Sequence, residues 1–122
     1  PPQASYWAVE FGNYWWESMD YRHCLCSTNC HHAVLEDDGE LILVVAHQDP
    51  GLPNWLDPCG HVEGYITVRW IGAQAYPIPA CEQMKVTVLP DYLPLEAKTI
   101  ERQARGEQLA ERRRGVIKRF GY

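Results

Sequence analysis

The sequence predicts a mainly β protein: an antiparallel β-sandwich or jelly-roll-like body with a C-terminal α-helical arm. Three observations carry this expectation. Short alternating or continuous apolar segments recur between clusters of turn-forming residues over positions 1–90. An Asp38-Gly39 pair stands between two strand-like runs. After Pro94 the chain changes to helix formers. The expected division is a β body at 1–90 and a helical arm at 91–122.

Taken in order, YWAVEFGNYW (6–15) alternates apolar and other residues over its first half and is rich in aromatics, as a half-buried strand is. Trp15, Trp16 and the residues to Asp20 break that alternation and read as a loop or helical turn. YRHCLCSTN (21–29) alternates again, with Tyr21, His23, Leu25 and Ser27 on one face and Arg22, Cys24 and Cys26 on the other. Asp38-Gly39 then predicts a hairpin into LILVVA (41–46), with the glycine supplying a positive φ. HVEGYITVRWIG (61–72) and MKVTVLP (84–90) read as the remaining strands, joined by a proline-broken connection. From 95 to 120, Leu95, Ile100, Ala104, Leu109, Val116, Ile117 and Phe120 form an incomplete apolar stripe, and Gly106 predicts a bend.

A chain of 122 residues fits one domain. No apolar run approaches the roughly 20 residues that span a bilayer, and the N-terminus lacks the order of a signal peptide. No membrane association and a cytoplasmic location are therefore expected. The start at Pro1-Pro2 reads as a processed chain or a piece of a longer protein. The net charge of -5 is uneven: residues 1–90 carry three basic and eleven acidic side chains, and residues 91–122 carry eight basic and five acidic ones. Glu96, Glu101, Glu107 and Glu111 interleave with the basic residues, as on a solvated or body-packed helix, so no nucleic-acid partner is expected. Five cysteines leave at least one thiol unpaired, and reduced thiols are the default without a secretion signal.

The stretch HQDPGLPNWLDPCGHVEG (47–64) is denser in turn chemistry than a simple connection requires. Pro50-Gly51 and Asp57-Pro58 are turn signals, Asn54 and Asp57 can accept bonds from nearby amides, and Trp55 fits as an apolar plug. In series, DYRHCLCSTN, LEDDGELILVVAHQDPGLPNWLDPCGHVEGYITVRW and ERQARGEQLAERRRGVIKRFGY resemble a bacterial family, the domain of unknown function 1214, in its members with an AHxDPGxPNWLDxxGHxEG loop. The resemblance covers about residues 7–72, with a weaker echo in the Arg-rich C-terminus. It implies a β-sandwich, jelly-roll-like body that forms the C-terminal portion of longer proteins, or a short relative that completes itself by oligomerising. It brings no agreed activity, and Cys24, Cys26 and Cys30 depart from the family pattern.

Three functional classes follow. The first is a non-catalytic assembly or small-ligand-binding domain, the ligand being of a carbohydrate-like kind, that forms a homo-oligomer through its aromatic face and helix; Trp15, Trp16, Trp55, Arg69 and Trp70 are its candidate contacts. Arg69 is also expected to pair with Asp20, Asp49 or Glu63. The second is a metal-assisted or acid-base enzyme in which the two ends of the long loop bring His47, Asp49, His61 and Glu63 together, because a carboxylate beside a histidine sets its tautomer and shifts its pKa. The third is a thiol or metal sensor using Cys24, Cys26, Cys30, His31 and His32, whose spacing offers soft and borderline donors but no tight C-x2-C knuckle. No cofactor is predicted, and a divalent metal enters only with the second and third classes. No nucleophile elbow, phosphate loop or dinucleotide fingerprint is present.

Overall fold

The computed structural model describes residues 1–121. Its centre is β1 (Tyr6–Gly12), flanked by antiparallel β2 (Ser27–Asn29) and β5 (Tyr65–Ile71) in the order β2-β1-β5. The alternation read in the sequence is physical: Trp7, Val9 and Phe11 are buried, whereas Glu10 between them is exposed. The register sets Trp7 opposite Trp70, Val9 opposite Val68 and Phe11 opposite Ile66, so these six side chains share one face of the sheet. Met19, Cys26 and Leu56 close the core beneath that face.

The second sheet is minimal. β3 (Val44–Val45) and β4 (Trp55–Leu56) run parallel, extended by Val44 N donating to Asn54 O at 2.9 Å. The Asp38-Gly39 turn exists as expected: Gly39 has φ +84, its amide donates to Glu36 O at 2.9 Å, and Glu36 N donates to Glu40 O at 2.8 Å. Its arms do not form a ladder with each other. The apolar run 41–46 pairs instead with Trp55 and Leu56 in the middle of the long loop, whose first half becomes a short crossover connection.

An antiparallel sheet and a C-terminal helix are therefore observed, but the chain is not mainly β, since among the described residues the two α-helices hold slightly more of the chain than the five strands do. Among the described residues the two sheets do not close into a sandwich. Two further segments of the body differ from expectation. Residues 21–24 form turns rather than strand, because Asp20 holds the amides of Arg22, His23 and Cys24 through its side chain and carbonyl. The segment 84–90 is not a strand: it forms a 3-10 turn at Val86–Val88 that runs into α1 (Leu89–Tyr92). Pro90, in the first turn of α1, lacks a ladder donor and is pre-set for helix.

The main helix, α2 (Arg102–Phe120), starts later than the change in composition and runs through Gly106 and Gly115 without a break. Residues 95–101 are held outside it, Ala97 N donating to Pro94 O and Ile100 N to Gly51 O, both at 3.0 Å. The predicted apolar stripe is not what anchors α2. Leu95, Ile117 and Phe120 are exposed, and the buried residue of the helix is Arg105. No helix among the described residues is long and apolar enough to cross a membrane.

Candidate functional site

The long loop is built around Arg105, one of the basic residues expected on a solvated or body-packed helix and not singled out in the sequence. The residue is 4% exposed, and its guanidinium forks onto Asp49, with Nε to Oδ2 at 2.9 Å and Nη2 to Oδ1 at 3.1 Å. It also donates to the carbonyls of Leu52 and Pro53 and to Gln108 Oε1, and it lies 5.2 Å from the Trp55 ring centroid. Burial works to raise the pKa of Asp49. The bonds from Arg105 and from Gly51 N, together with the attraction of the guanidinium, outweigh it and hold the carboxyl below its ordinary range.

The remaining loop residues bond the loop to itself and to its surroundings. Asn54 Oδ1 accepts from Val34 N at 2.8 Å, while Nδ2 donates to Val34 O at 2.7 Å and Ile42 O at 3.0 Å. Trp55 Nε1 donates to Ala46 O at 2.8 Å, which gives the half-buried ring its polar partner. The long loop is therefore bonded to itself and to its surroundings, as its turn chemistry suggested, but its acids and histidines do not converge. Asp49 is engaged by Arg105, His61 Nδ1 contacts Pro58 O at 3.1 Å, and His47 and Glu63 are exposed. No three of these four hold their ligand atoms within 4.8 Å of one another among the described residues. Among the described residues these four side chains therefore form no joint metal-binding group.

A second arginine of α2, seven residues on and so on the same helix face, repeats the device. Arg112 donates to Tyr21 O at 2.9 Å, Ser27 O at 3.0 Å and Ser27 Oγ at 2.8 Å. Between α2 and the body lies a groove of about 1010 Å³, floored by Phe11, Leu25 and Leu56 and edged by His31, His32 and Glu111. Of the five predicted ligand contacts only Trp55 lines it. Trp70 packs against Trp7, with ring centroids 6.3 Å apart. Arg69 pairs with Glu10 at 3.3 Å, across the β1–β5 ladder, rather than with Asp20, Asp49 or Glu63.

Trp15 and Trp16 stand in the turn after β1 and are 75% and 70% exposed. Trp15 meets Tyr14 edge-on, and Trp16 leans on Tyr65 of β5, both with centroids 5.0 Å apart. With Ile66, 57% exposed although it shares the core-side face of the sheet, they form an apolar end to the β1–β5 ladder.

The expected thiol and histidine cluster is dispersed. Cys26 is buried, Cys30 is half-buried, and His31 and His32 are exposed at the turn where Asn29 Oδ1 accepts both their amides. Cys24 lies instead beside two residues remote in sequence, Asp57 and Cys59. Burial pushes the Cys24, Cys26 and Cys59 thiols up, so none is an activated nucleophile. Sequence reasoning missed Arg105, Arg112 and Cys59 as organising residues; the seven-residue spacing of the two arginines was the available signal for the first two.

No protein-family model matches the chain, and no curated protein does. Among solved structures the chain is similar to an uncharacterised protein from Burkholderia cenocepacia, at 43% identity and a TM-score of 0.60. The match covers 62% of this chain and 21% of that one, so it spans about a fifth of the length of its relative.

Proposed function

We propose that the chain is a non-catalytic assembly domain whose incomplete sheet is finished by self-association. One observation carries this reading. A compact monomer of 14.0 kDa exposes roughly 6700 Å², whereas this chain exposes 8928 Å². The excess, about 2200 Å² per chain, is larger than the roughly 800 Å² that each partner contributes to a standard interface, and it is of the size found where association is obligate. The apolar end formed by Trp15, Trp16, Tyr65 and Ile66, next to the unpaired edge of β5, is the surface that association would cover. The groove beneath α2 supports the small-ligand side of the same reading, with Trp55 as its aromatic wall.

The reading extends to the family: the loop string AHQDPGLPNWLDPCGHVEG favours the domain of unknown function 1214, in which this chain would correspond to the C-terminal portion. Five unpaired thiols are in keeping with a reducing, cytoplasmic setting.

Sedimentation equilibrium over a range of concentrations tests the proposal. The expected result is a dimer or larger species, shifted toward monomer by Trp16→Ser combined with Ile66→Ser, with far-ultraviolet circular dichroism unchanged. A single monomeric species at every concentration overturns it.

A further inference from the structure

The fold brings Cys24, from the segment after β1, against two donors of the long loop more than thirty residues away, Asp57 and Cys59, and none of the three lines the groove. Cys24 Sγ, a carboxylate oxygen of Asp57 and Cys59 Sγ all lie within 4.8 Å of one another. Three points so placed have a common centre at most about 2.8 Å from each, against Zn–S near 2.3 Å and Zn–O near 2.0–2.2 Å, so small side-chain rotations complete the approach.

The backbone holds this juxtaposition in place. Asp57 N donates to Leu25 O at 2.9 Å, which sets the middle of the long loop beside the Cys24 segment. Asp57 Oδ1 accepts from Cys59 N at 2.8 Å. Cys59 adopts φ +54, a left-handed conformation uncommon for a residue with a Cβ, and its Sγ lies 3.6 Å from the Asp57 carbonyl oxygen. On the other side, Cys24 N donates to Asp20 O at 2.9 Å. All three residues are half-buried, so the donors are partly desolvated yet reachable from solvent.

We propose that Cys24, Asp57 and Cys59 form a binding site for a soft or borderline divalent cation of the zinc type, with the fourth tetrahedral position open to water or an outside ligand. Two sulfurs and one carboxylate oxygen select for zinc over magnesium or calcium, which take oxygen ligands. On binding, each thiol gives its proton to solvent and forms one metal–sulfur bond, so two protons leave per ion and no oxidant or reductant is needed. The site stands independently of the assembly reading.

Cobalt(II) titration of the full chain under reducing conditions, excluding phosphate, is the test. One equivalent is expected to produce thiolate-to-cobalt charge-transfer absorption and the visible bands of a tetrahedral centre, which zinc then abolishes. Cys59→Ser and Asp57→Asn are each expected to weaken binding at least tenfold, and Cys81→Ser to leave it unchanged; Asn at position 57 keeps an oxygen acceptor for Cys59 N, so loss of binding there does not require loss of the turn. A second measurement needs no variant: zinc should slow alkylation of Cys24 and Cys59 in the unmutated chain while Cys81 reacts as before. Absence of a cobalt signal, a signal that survives Cys24→Ser with Cys59→Ser, or zinc protection centred on Cys30 instead overturns the assignment.

Discussion

Replacing Arg105 by Ala removes the residue that joins α2 to the long loop, and the structure sets the size of the effect. The guanidinium of this buried residue donates five hydrogen bonds, two to Asp49 and one each to Leu52 O, Pro53 O and Gln108 Oε1. A hydrogen bond to a charged group contributes about 1.5–3 kcal/mol, and breaking a wholly buried ion pair costs about 3–5 kcal/mol. The five bonds are not additive, and the Asp49 side chain is 34% exposed, so solvent takes over part of the carboxylate once the arginine is gone. The expected loss for Arg105→Ala is about 3 kcal/mol. Lysine reaches only part of this partner set, and Arg105→Lys is expected to lose about 2 kcal/mol. Urea unfolding at one fixed protein concentration measures both, because the proposed self-association would make stability depend on concentration. A double-mutant cycle with Asp49→Ala is expected to show clear coupling. A loss below about 0.5 kcal/mol for Arg105→Ala, or additive single effects in the cycle, would refute the view that this arginine anchors the helix.

Three further outcomes are expected. Asn54→Ala strands Val34 N, Val34 O and Ile42 O, so it should cost about 2–3 kcal/mol and speed hydrogen exchange at the Val34 amide. Two glycine substitutions should have opposite signs: a Cβ at Gly64 would sit 2.3 Å from Gly12 O, forcing β1 and β5 apart at a cost of about 1–3 kcal/mol, whereas one at Gly106 meets nothing within 4 Å and should stabilise α2 by roughly 0.5–1 kcal/mol in the same assay. Because the Asp49 pKa is depressed in the folded chain, its contribution is fully present above the unfolded carboxyl value of about 3.9 and is lost as pH falls through the lower folded value. Stability measured between about pH 5 and pH 2.5 should therefore fall less steeply in Asp49→Asn than in the unmodified chain, and equal slopes would remove Asp49 as a contributor.

The elements legible in the sequence are those whose side chains alternate along an isolated strand. Residues 6–12 and 65–71 show that pattern and become β1 and β5, and the turn chemistry of Asp38-Gly39 and of the 47–64 loop becomes turns. The segment MKVTVLP shows the same alternation and is not a strand, because alternation does not supply a partner and Pro90 withholds a donor. Trp55 as a plug and Asn54 as a backbone acceptor follow from side-chain chemistry alone. The convergence of His47, Asp49, His61 and Glu63 did not follow, since two ends of a loop can approach without their side chains turning toward each other.

By itself, the order of residues determined which stretches prefer extended, turned or helical backbone, since those preferences depend on neighbours a few positions away. Only the tertiary structure decided the long-range partners: Val44 with Trp55 in a parallel ladder, Arg105 with Asp49, Arg112 with Ser27, and Cys24 with Asp57 and Cys59. The physical reason lies in desolvation. An arginine on an isolated helix is best left in water, and it becomes the most buried side chain of α2 only because the loop offers a carboxylate and backbone carbonyls in the one place where its donors are otherwise cut off from solvent.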